Sequence, residues 1–396
     1  MPPDPFANSG DEPEKNPFAG MPIFGDLARM MAGQDSLGWD AARQLAISVA
    51  TDGKSEANVD PLARQSFEQL AHIAELHVGA ATGLPTSHSG SGISLLPVTR
   101  TQWAVTTLET WKPLFEHLAS SLQPAEMEIS PNDPMAFLAP IMKMVGPMMI
   151  GMTAGSMVGH LSRRAFGQYD LPIPRARKDD VMVVSANVDE FASEWSLPTD
   201  DLRMWVCLQE ITTHTVFRSP SVRDAINDLM TTYVSSFETS SDDLDGRLAG
   251  LDFSDPDQLT NLDSLFSDPE MILGAIQSDT QRALLPRFEA ITCAIVGYVD
   301  HIVDHISAQL LTNGSMIAEA VRRRRVEADS SDRFVEKLFG LELTQDAYDR
   351  GTSFVQGVVE RAGNDALIRL FESDMTLPTP AEVDAPGLWL ARLEFN

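Results

Sequence analysis

Residues 205–217 read Trp-Val-Cys-Leu-Gln-Glu-Ile-Thr-Thr-His-Thr-Val-Phe, and this stretch governs the interpretation of the whole chain. Residues 198–201, Pro-Thr-Asp-Asp, precede it and predict a helix start, because Thr and Asp favour helix N-termini. Positions i and i+4 of a helix lie on one face, so Gln209 and Thr213 share a face, next to Glu210. His214 follows one residue later, about 100° further around the helix.

This spacing matches a zinc-binding motif from which both histidines are missing. In His-Glu-x-x-His, two imidazoles one turn apart bind Zn²⁺, and the glutamate is the general base for a metal-bound water. Gln209 and Thr213 occupy the histidine positions, and Glu210 occupies the glutamate position. Because an amide and a hydroxyl suit zinc poorly, the stretch predicts a helix of this kind that has lost its metal ligands. His214 could replace the second ligand only if the whole helix rotated.

Composition limits the classes of function that the chain can have. The 396 residues include 43% apolar residues, enough for a sizeable core, and carry a net charge of −28. This acidic balance argues against general binding to nucleic acid or anionic membranes. The two cysteines, Cys207 and Cys293, exclude a disulfide framework and a four-cysteine zinc site. The N-terminus lacks the basic and apolar segments of a signal peptide, so we expect a cytoplasmic protein.

The first 35 residues differ in character from the rest. Residues 1–20 are rich in Pro, Gly, Asn and acidic residues and are expected to be disordered. Residues 21–35 contain a short amphipathic helix, on which Phe24, Leu27, Met30 and Met31 form the apolar side. These four side chains are candidates for binding a partner, although they could equally pack on the protein's own core. Residues 36–396 are predicted to form one mostly helical domain.

Residues 135–161 are apolar enough to resemble a membrane span. Gly151, Gly155 and Gly159 form a ridge of small residues, as in pairs of membrane helices. Lys143 and Pro147, the Met-rich composition and the lack of flanking aromatic residues argue against a span. A buried helix hairpin, on which the glycine ridge admits another helix, is the favoured interpretation.

The remaining pattern is predominantly helical. Helices are predicted within residues 36–82, 101–123, 279–312 and 315–328. Residues 83–100 and 124–134 are predicted loops, and residues 238–270 an acidic, turn-rich segment. A single strand is predicted at Val181–Asn187. The predicted fold class is therefore α+β, mainly helical, with a small sheet beside the motif helix.

Several landmarks together resemble a family of zincin-like metallopeptidases, which includes many hydrolases of uncharacterised function. The landmarks are Trp39–Gln44, Phe166–Pro172, Ala186–Phe191, Trp205–Phe217, Gly297–Asp304 and Glu319–Arg325. The resemblance extends from about residue 36 to the C-terminus and implies a zincin-like fold.

The resemblance also assigns the family's site to particular positions. It places the two histidine ligands at Gln209 and Thr213, the general base at Glu210 and a third, glutamate ligand at Val296. Because all three ligand positions are substituted, the resemblance implies a pseudoenzyme without a cofactor. We expect such a scaffold to bind a protein or peptide, and it could form a homo-oligomer.

An active peptidase with displaced zinc ligands is the alternative. Its site would combine Glu210 and His214 with His301 and His305, which lie at i and i+4 of a later helix. The apolar stripe of that helix leaves His301 and His305 off the buried face, which favours rim or surface positions.

Two further groups of residues carry predictions about contacts. The two cysteines could be neighbours if the helices pack as in zincins. The four arginines at 322–325 are predicted to pair with surrounding acids rather than with nucleic acid.

Overall fold

A computed structural model of the chain describes residues 37–88, 90–122, 139–237, 278–327, 330–341 and 343–395. The predicted tail, the amphipathic helix with Phe24, Leu27, Met30 and Met31, and the segment 238–270 lie outside the described residues. The predicted loop 124–134 also lies outside them.

Thirteen α-helices and two strands are present in the described part of the chain. The helices are α1 (Trp39–Thr51), α2 (Pro61–Thr82), α3 (Arg100–Ser121), α4 (Ala139–Ser162), α5 (Ser185–Glu194), α6 (Thr199–Arg218), α7 (Pro220–Val234), α8 (Asp279–Leu310), α9 (Gly314–Val326), α10 (Ser330–Leu338), α11 (Gln345–Ala362), α12 (Pro380–Asp384) and α13 (Pro386–Phe395). Two 3₁₀-helices, Asn364–Phe371 and Asp374–Thr376, lie between α11 and α12. The predicted mainly helical fold with a small sheet is confirmed.

The sheet consists of two parallel strands, β1 (Ser94–Val98) and β2 (Asp180–Val184), paired from Ser94–Asp180 to Val98–Val184. The prediction of an uninterrupted loop at 83–100 was therefore wrong. Leu95 and Pro97 alternate with exposed residues, but the surrounding Gly and Ser residues hid this period-two pattern. The predicted strand at 181–187 was too long, because α5 begins at Ser185.

A third backbone segment runs beside β2 in the opposite direction. Gln168 N–H donates to Met182 O at 2.9 Å, and Val184 N–H donates to Phe166 O at 2.8 Å. The indole N–H of Trp103 on α3 donates to Gly167 O at 2.8 Å, which fixes the segment from its other side. We call residues 166–169 the bridging segment, because it connects the sheet to α6.

The glycine ridge of α4 packs against α1. A Cβ at Gly151 would lie 2.0 Å from Leu37 O, and a Cβ at Gly155 would lie 2.2 Å from Ala42 O. Gly159 meets Val49 in the same way, at 2.7 Å. The favoured interpretation of a buried ridge is confirmed, although the segment forms one helix through Pro147 rather than a hairpin. Within the described residues, the apolar runs of the helices are too short or too polar to span a membrane.

The long helix α8 confirms the prediction for residues 279–312 and crosses α11 at glycines. A Cβ at Gly297 would lie 2.3 Å from Gly351 C and O, and a Cβ at Gly351 would lie 2.2 Å from Cys293 O. Backbone therefore touches backbone at this crossing, immediately after Val296.

We expect Gly155→Ala to lower the free energy of unfolding by roughly 1–3 kcal/mol, because the methyl group would overlap a backbone carbonyl of α1. Gly146→Ala on the same helix is the matched control, since nothing lies within 4 Å of a Cβ there. The control should raise stability by about 0.5–1 kcal/mol through helix propensity. Urea unfolding curves measure both, and equal effects of the two substitutions would contradict backbone contact at the ridge.

Candidate functional site

The motif lies on α6, in the interior of the protein. The helix begins at Thr199, with Asp200 and Asp201 in its first turn, where acids interact favourably with the helix dipole. It packs against α2, α5, α8 and β2, and nearly all side chains from Leu202 to Phe217 are buried. The sheet therefore does lie beside the motif helix, as predicted.

Glu210 is 2% exposed, and its carboxylate faces the bridging segment. Tyr169 N–H donates to Glu210 Oε2 at 2.9 Å. A Cβ at Gly167 would lie 2.3 Å from Glu210 Cδ, so only glycine leaves room for the carboxyl group. His214, one turn further along α6, forms its hydrogen bond with the Tyr169 hydroxyl.

Burial raises the pKa of Glu210 to about 8. Loss of hydration disfavours the charged form, and nearby Asp170 acts in the same direction. The Tyr169 N–H and the Arg175 guanidinium oppose this rise without cancelling it. Burial therefore favours the protonated form of Glu210.

A cavity of about 40 Å³ lies beside Gln209 and Glu210. This volume holds about three or four water molecules, since one water needs about 10–15 Å³ by the same measure. Its charged lining comes from Arg164, Asp170, Glu210, Arg324, Arg325 and Glu336, and apolar side chains complete it. The space beside the motif is therefore too small for a peptide side chain of any length.

All four arginines of α9 pair with acids, as predicted. The pairs are Arg322–Asp304, Arg323–Glu319, Arg324–Asp170 at 3.4 Å and Arg325–Asp300 at 2.9 Å. Arg324 and Arg325 also line the cavity, and the Arg324 guanidinium lies 3.8 Å from the centre of the Phe166 ring. Two positive side chains thus stand next to Gln209 and Glu210.

The three inferred ligand positions do not fit zinc. Gln209 Oε1 is buried without a hydrogen-bond partner in the described structure, and Thr213 Oγ1 donates to Gln209 O at 2.8 Å. Val296 is half-buried and lines a second small cavity, next to Leu343 and Tyr348. These groups supply no imidazole, thiolate or carboxylate, which are the side chains that zinc prefers.

His214 belongs to a different cluster, on the side of α6 that faces β2. Tyr169 Oη lies 3.1 Å from His214 Nδ1, and Asp179 Oδ1 lies 3.7 Å from His214 Nε2. The rings of His88 and His214 meet edge to face, with centroids 5.9 Å apart. One ligand atom from each of His88, Asp179 and His214 lies within 4.8 Å of the others.

His301 and His305, the other histidines of the alternative zinc site, lie on α8 and have partners outside the His214 cluster. His301 Nε2 lies 3.1 Å from Asn364 Oδ1, and His305 Nε2 lies 3.0 Å from Gln309 Nε2. His301 is half-buried and His305 is exposed, which agrees with the predicted rim positions. In the part of the chain that the structure describes, neither joins a group of three possible metal ligands.

Sequence reasoning missed His88 and Asp179. They are separated by 91 residues, and no motif spacing connects them. The pairing of β1 with β2 brings them together, since the register begins at Ser94 and Asp180. Had β1 been recognised as a strand in the sequence, its pairing with β2 would have indicated that His88 and Asp179 lie close together.

The two cysteines are buried and not joined in a disulfide. Burial raises the pKa of Cys293 to about 12 and that of Cys207 further still. Both thiols therefore stay protonated at neutral pH, and neither joins a possible metal-ligand group within the described ranges.

Residues 37–390 match the family described as zincin-like metallopeptidase, and the chain belongs to this family. A solved structure from Chloroflexus aurantiacus, described as "a putative hydrolase with a novel fold", has a similar fold. The TM-score is 0.62 at 21% identity, over 90% of this chain and 99% of that chain. No curated protein matches the chain.

We predict that Glu210→Gln changes the pH dependence of stability. The folded protein holds the Glu210 proton up to a pKa of about 8, whereas the unfolded chain releases it near 4.5. Wild-type stability should thus fall relative to the variant as pH rises from 4.5 to 8, by up to about 4 kcal/mol. Denaturant unfolding at pH 5 and pH 8 measures this, and a stability difference that does not change with pH would contradict the buried, protonated carboxyl.

Proposed function

We propose that this chain is a pseudoenzyme of the zincin-like family, which does not hydrolyse peptides and acts as a scaffold for a protein or peptide partner. The observation that carries the proposal is the position of the Glu210 carboxylate, which is buried against Gly167 and accepts the Tyr169 N–H. In the family chemistry the glutamate deprotonates a metal-bound water. The Glu210 carboxyl group is engaged by the bridging segment, and Gln209, Thr213 and Val296 supply no zinc ligand that would hold such a water beside it.

The surroundings of the motif support the same conclusion. The cavity at Gln209 holds a few waters at most, and its arginines and acids pair with one another instead of leaving a free set of zinc ligands. Without a metal-bound water, the reaction loses its nucleophile and its main electrostatic stabilisation. The relative described as a hydrolase shares 21% identity, so its description does not weigh against this proposal.

A partner could use the outer face of α2. Leu62, Ile73 and Leu76 are exposed on this helix, at 73%, 42% and 62% of their surface. Exposed apolar side chains of this kind suit a protein or peptide partner. The N-terminal residues Phe24, Leu27, Met30 and Met31 remain candidates for the same purpose, and the cytoplasm remains the expected location.

Peptidase assays with wild type and Glu210→Gln test the proposal. Untagged protein would be incubated with Zn²⁺ and a mixed peptide library, and cleavage would be followed by mass spectrometry. We expect no cleavage above the buffer level with either protein. Equal cleavage by both that also persists in His214→Gln would identify a contaminating peptidase. Equal cleavage by both that is lost in His214→Gln and on chelation would support the hydrolase with displaced ligands and overturn the proposal. Cleavage that is lost in Glu210→Gln and on chelation would overturn the proposal.

An active hydrolase with displaced ligands is the second candidate, and the cluster around His214 favours it. A metal ion at that cluster would not by itself restore the motif chemistry, because the Glu210 carboxylate is engaged by the bridging segment. The assay above distinguishes the two candidates.

A further inference from the structure

We propose that His88, Asp179 and His214 form a binding site for a divalent transition-metal ion of the zinc class, separate from the position of the family motif. Three different parts of the fold supply the ligands. His88 lies in the loop after α2, Asp179 directly precedes β2, and His214 lies on α6. Two imidazoles and a carboxylate are a common ligand set for zinc.

The geometry is close to that of a bound ion. Zinc bonds of about 2.0–2.1 Å place neighbouring tetrahedral ligand atoms roughly 3.3 Å apart. His214 Nε2 and Asp179 Oδ1 are 3.7 Å apart, and the ligand atoms of all three residues lie within 4.8 Å of one another. Small side-chain rotations would therefore complete three bonds, and the exposed side of His88 leaves a fourth position for water.

His214 is already oriented for this role. Its ring is 2% exposed, and its Nε2 has no hydrogen-bond partner among the described residues. Because an unpaired buried polar atom is costly, it suggests a missing ligand. When Nδ1 carries the proton and donates to Tyr169 Oη, the Nε2 lone pair is available for a metal ion. A hydrogen bond to the second ring nitrogen is typical of metal-binding histidines.

The remaining contacts fix the loop that carries His88. The His88 N–H donates to Asp179 Oδ1 at 2.6 Å, and Arg218 Nη1 donates to Pro85 O at 3.2 Å and to Ser87 O. The positive charge of Arg218 works against a cation at the cluster. We therefore expect weaker binding than in a site with the same ligands and no guanidinium nearby.

Zinc titration of the untagged full chain tests the site. We expect one Zn²⁺ per chain by elemental mass spectrometry after desalting, and a rise in the melting temperature that increases with zinc concentration. Co²⁺ in place of zinc should give the visible absorption of a four-coordinate centre with nitrogen and oxygen ligands.

His88→Ala is the main variant, because its exposed side chain can be removed without opening the core. It should leave the metal-free melting temperature unchanged and weaken zinc binding by at least about 100-fold. His214→Gln should also weaken binding, and its folding is checked by circular dichroism. His305→Ala, which removes another exposed histidine, should bind zinc as the wild type does.

Two results would overturn the site: absence of zinc from the wild type, or unchanged binding in His88→Ala. Gln209→Ala tests whether zinc binds at the ligand position of the family motif instead. We expect this variant to bind zinc as the wild type does. Loss of zinc in Gln209→Ala would count against the proposed pseudoenzyme as well as against this cluster. If His88, Asp179 and His214 do not bind zinc, the proposed pseudoenzyme is still tested separately by the peptidase assay.

Discussion

The hydrogen bond from the Tyr169 N–H to the Glu210 carboxyl group joins the short sheet to the motif helix. The bridging segment forms it because β2 and Trp103 hold that segment from two sides. The same tyrosine reaches His214 through its hydroxyl group. Tyr169 therefore holds both Glu210 and His214, the two buried titratable side chains in this part of α6.

Two polar sites lie along the motif helix. The first is a small cavity beside Gln209, lined by Arg324 and Arg325, each of which pairs with an aspartate. In the second, a carboxylate and two imidazoles converge, with one imidazole nitrogen unpaired within the described structure. Tyr169 contacts both sites, because Glu210 and His214 are one helical turn apart and share a face.

The sequence predicted the features that depend on local pattern. The motif helix, the long α8 and the arginine–acid pairs follow from helical periodicity and charge. The glycine ridge also indicated close helix packing, although the partner α1 could not be identified. Features that depend on distant pairing were missed, since the alternation in β1 covers only five residues and is surrounded by Gly and Ser residues typical of a loop. His88 and Asp179 were missed for the same reason, because only the strand register brings them together.

Val296 lies immediately before the glycine at which α8 touches α11. A glutamate there would carry its charge into a half-buried place between helices that cannot separate, and without a metal this charge would lack compensation. An imidazole at position 213 would likewise need volume where the threonine side chain is 3% exposed. Each substitution towards a zinc centre costs stability before a metal can compensate. A zinc centre at these three positions would therefore need several changes made together, because each single change lacks the compensating metal.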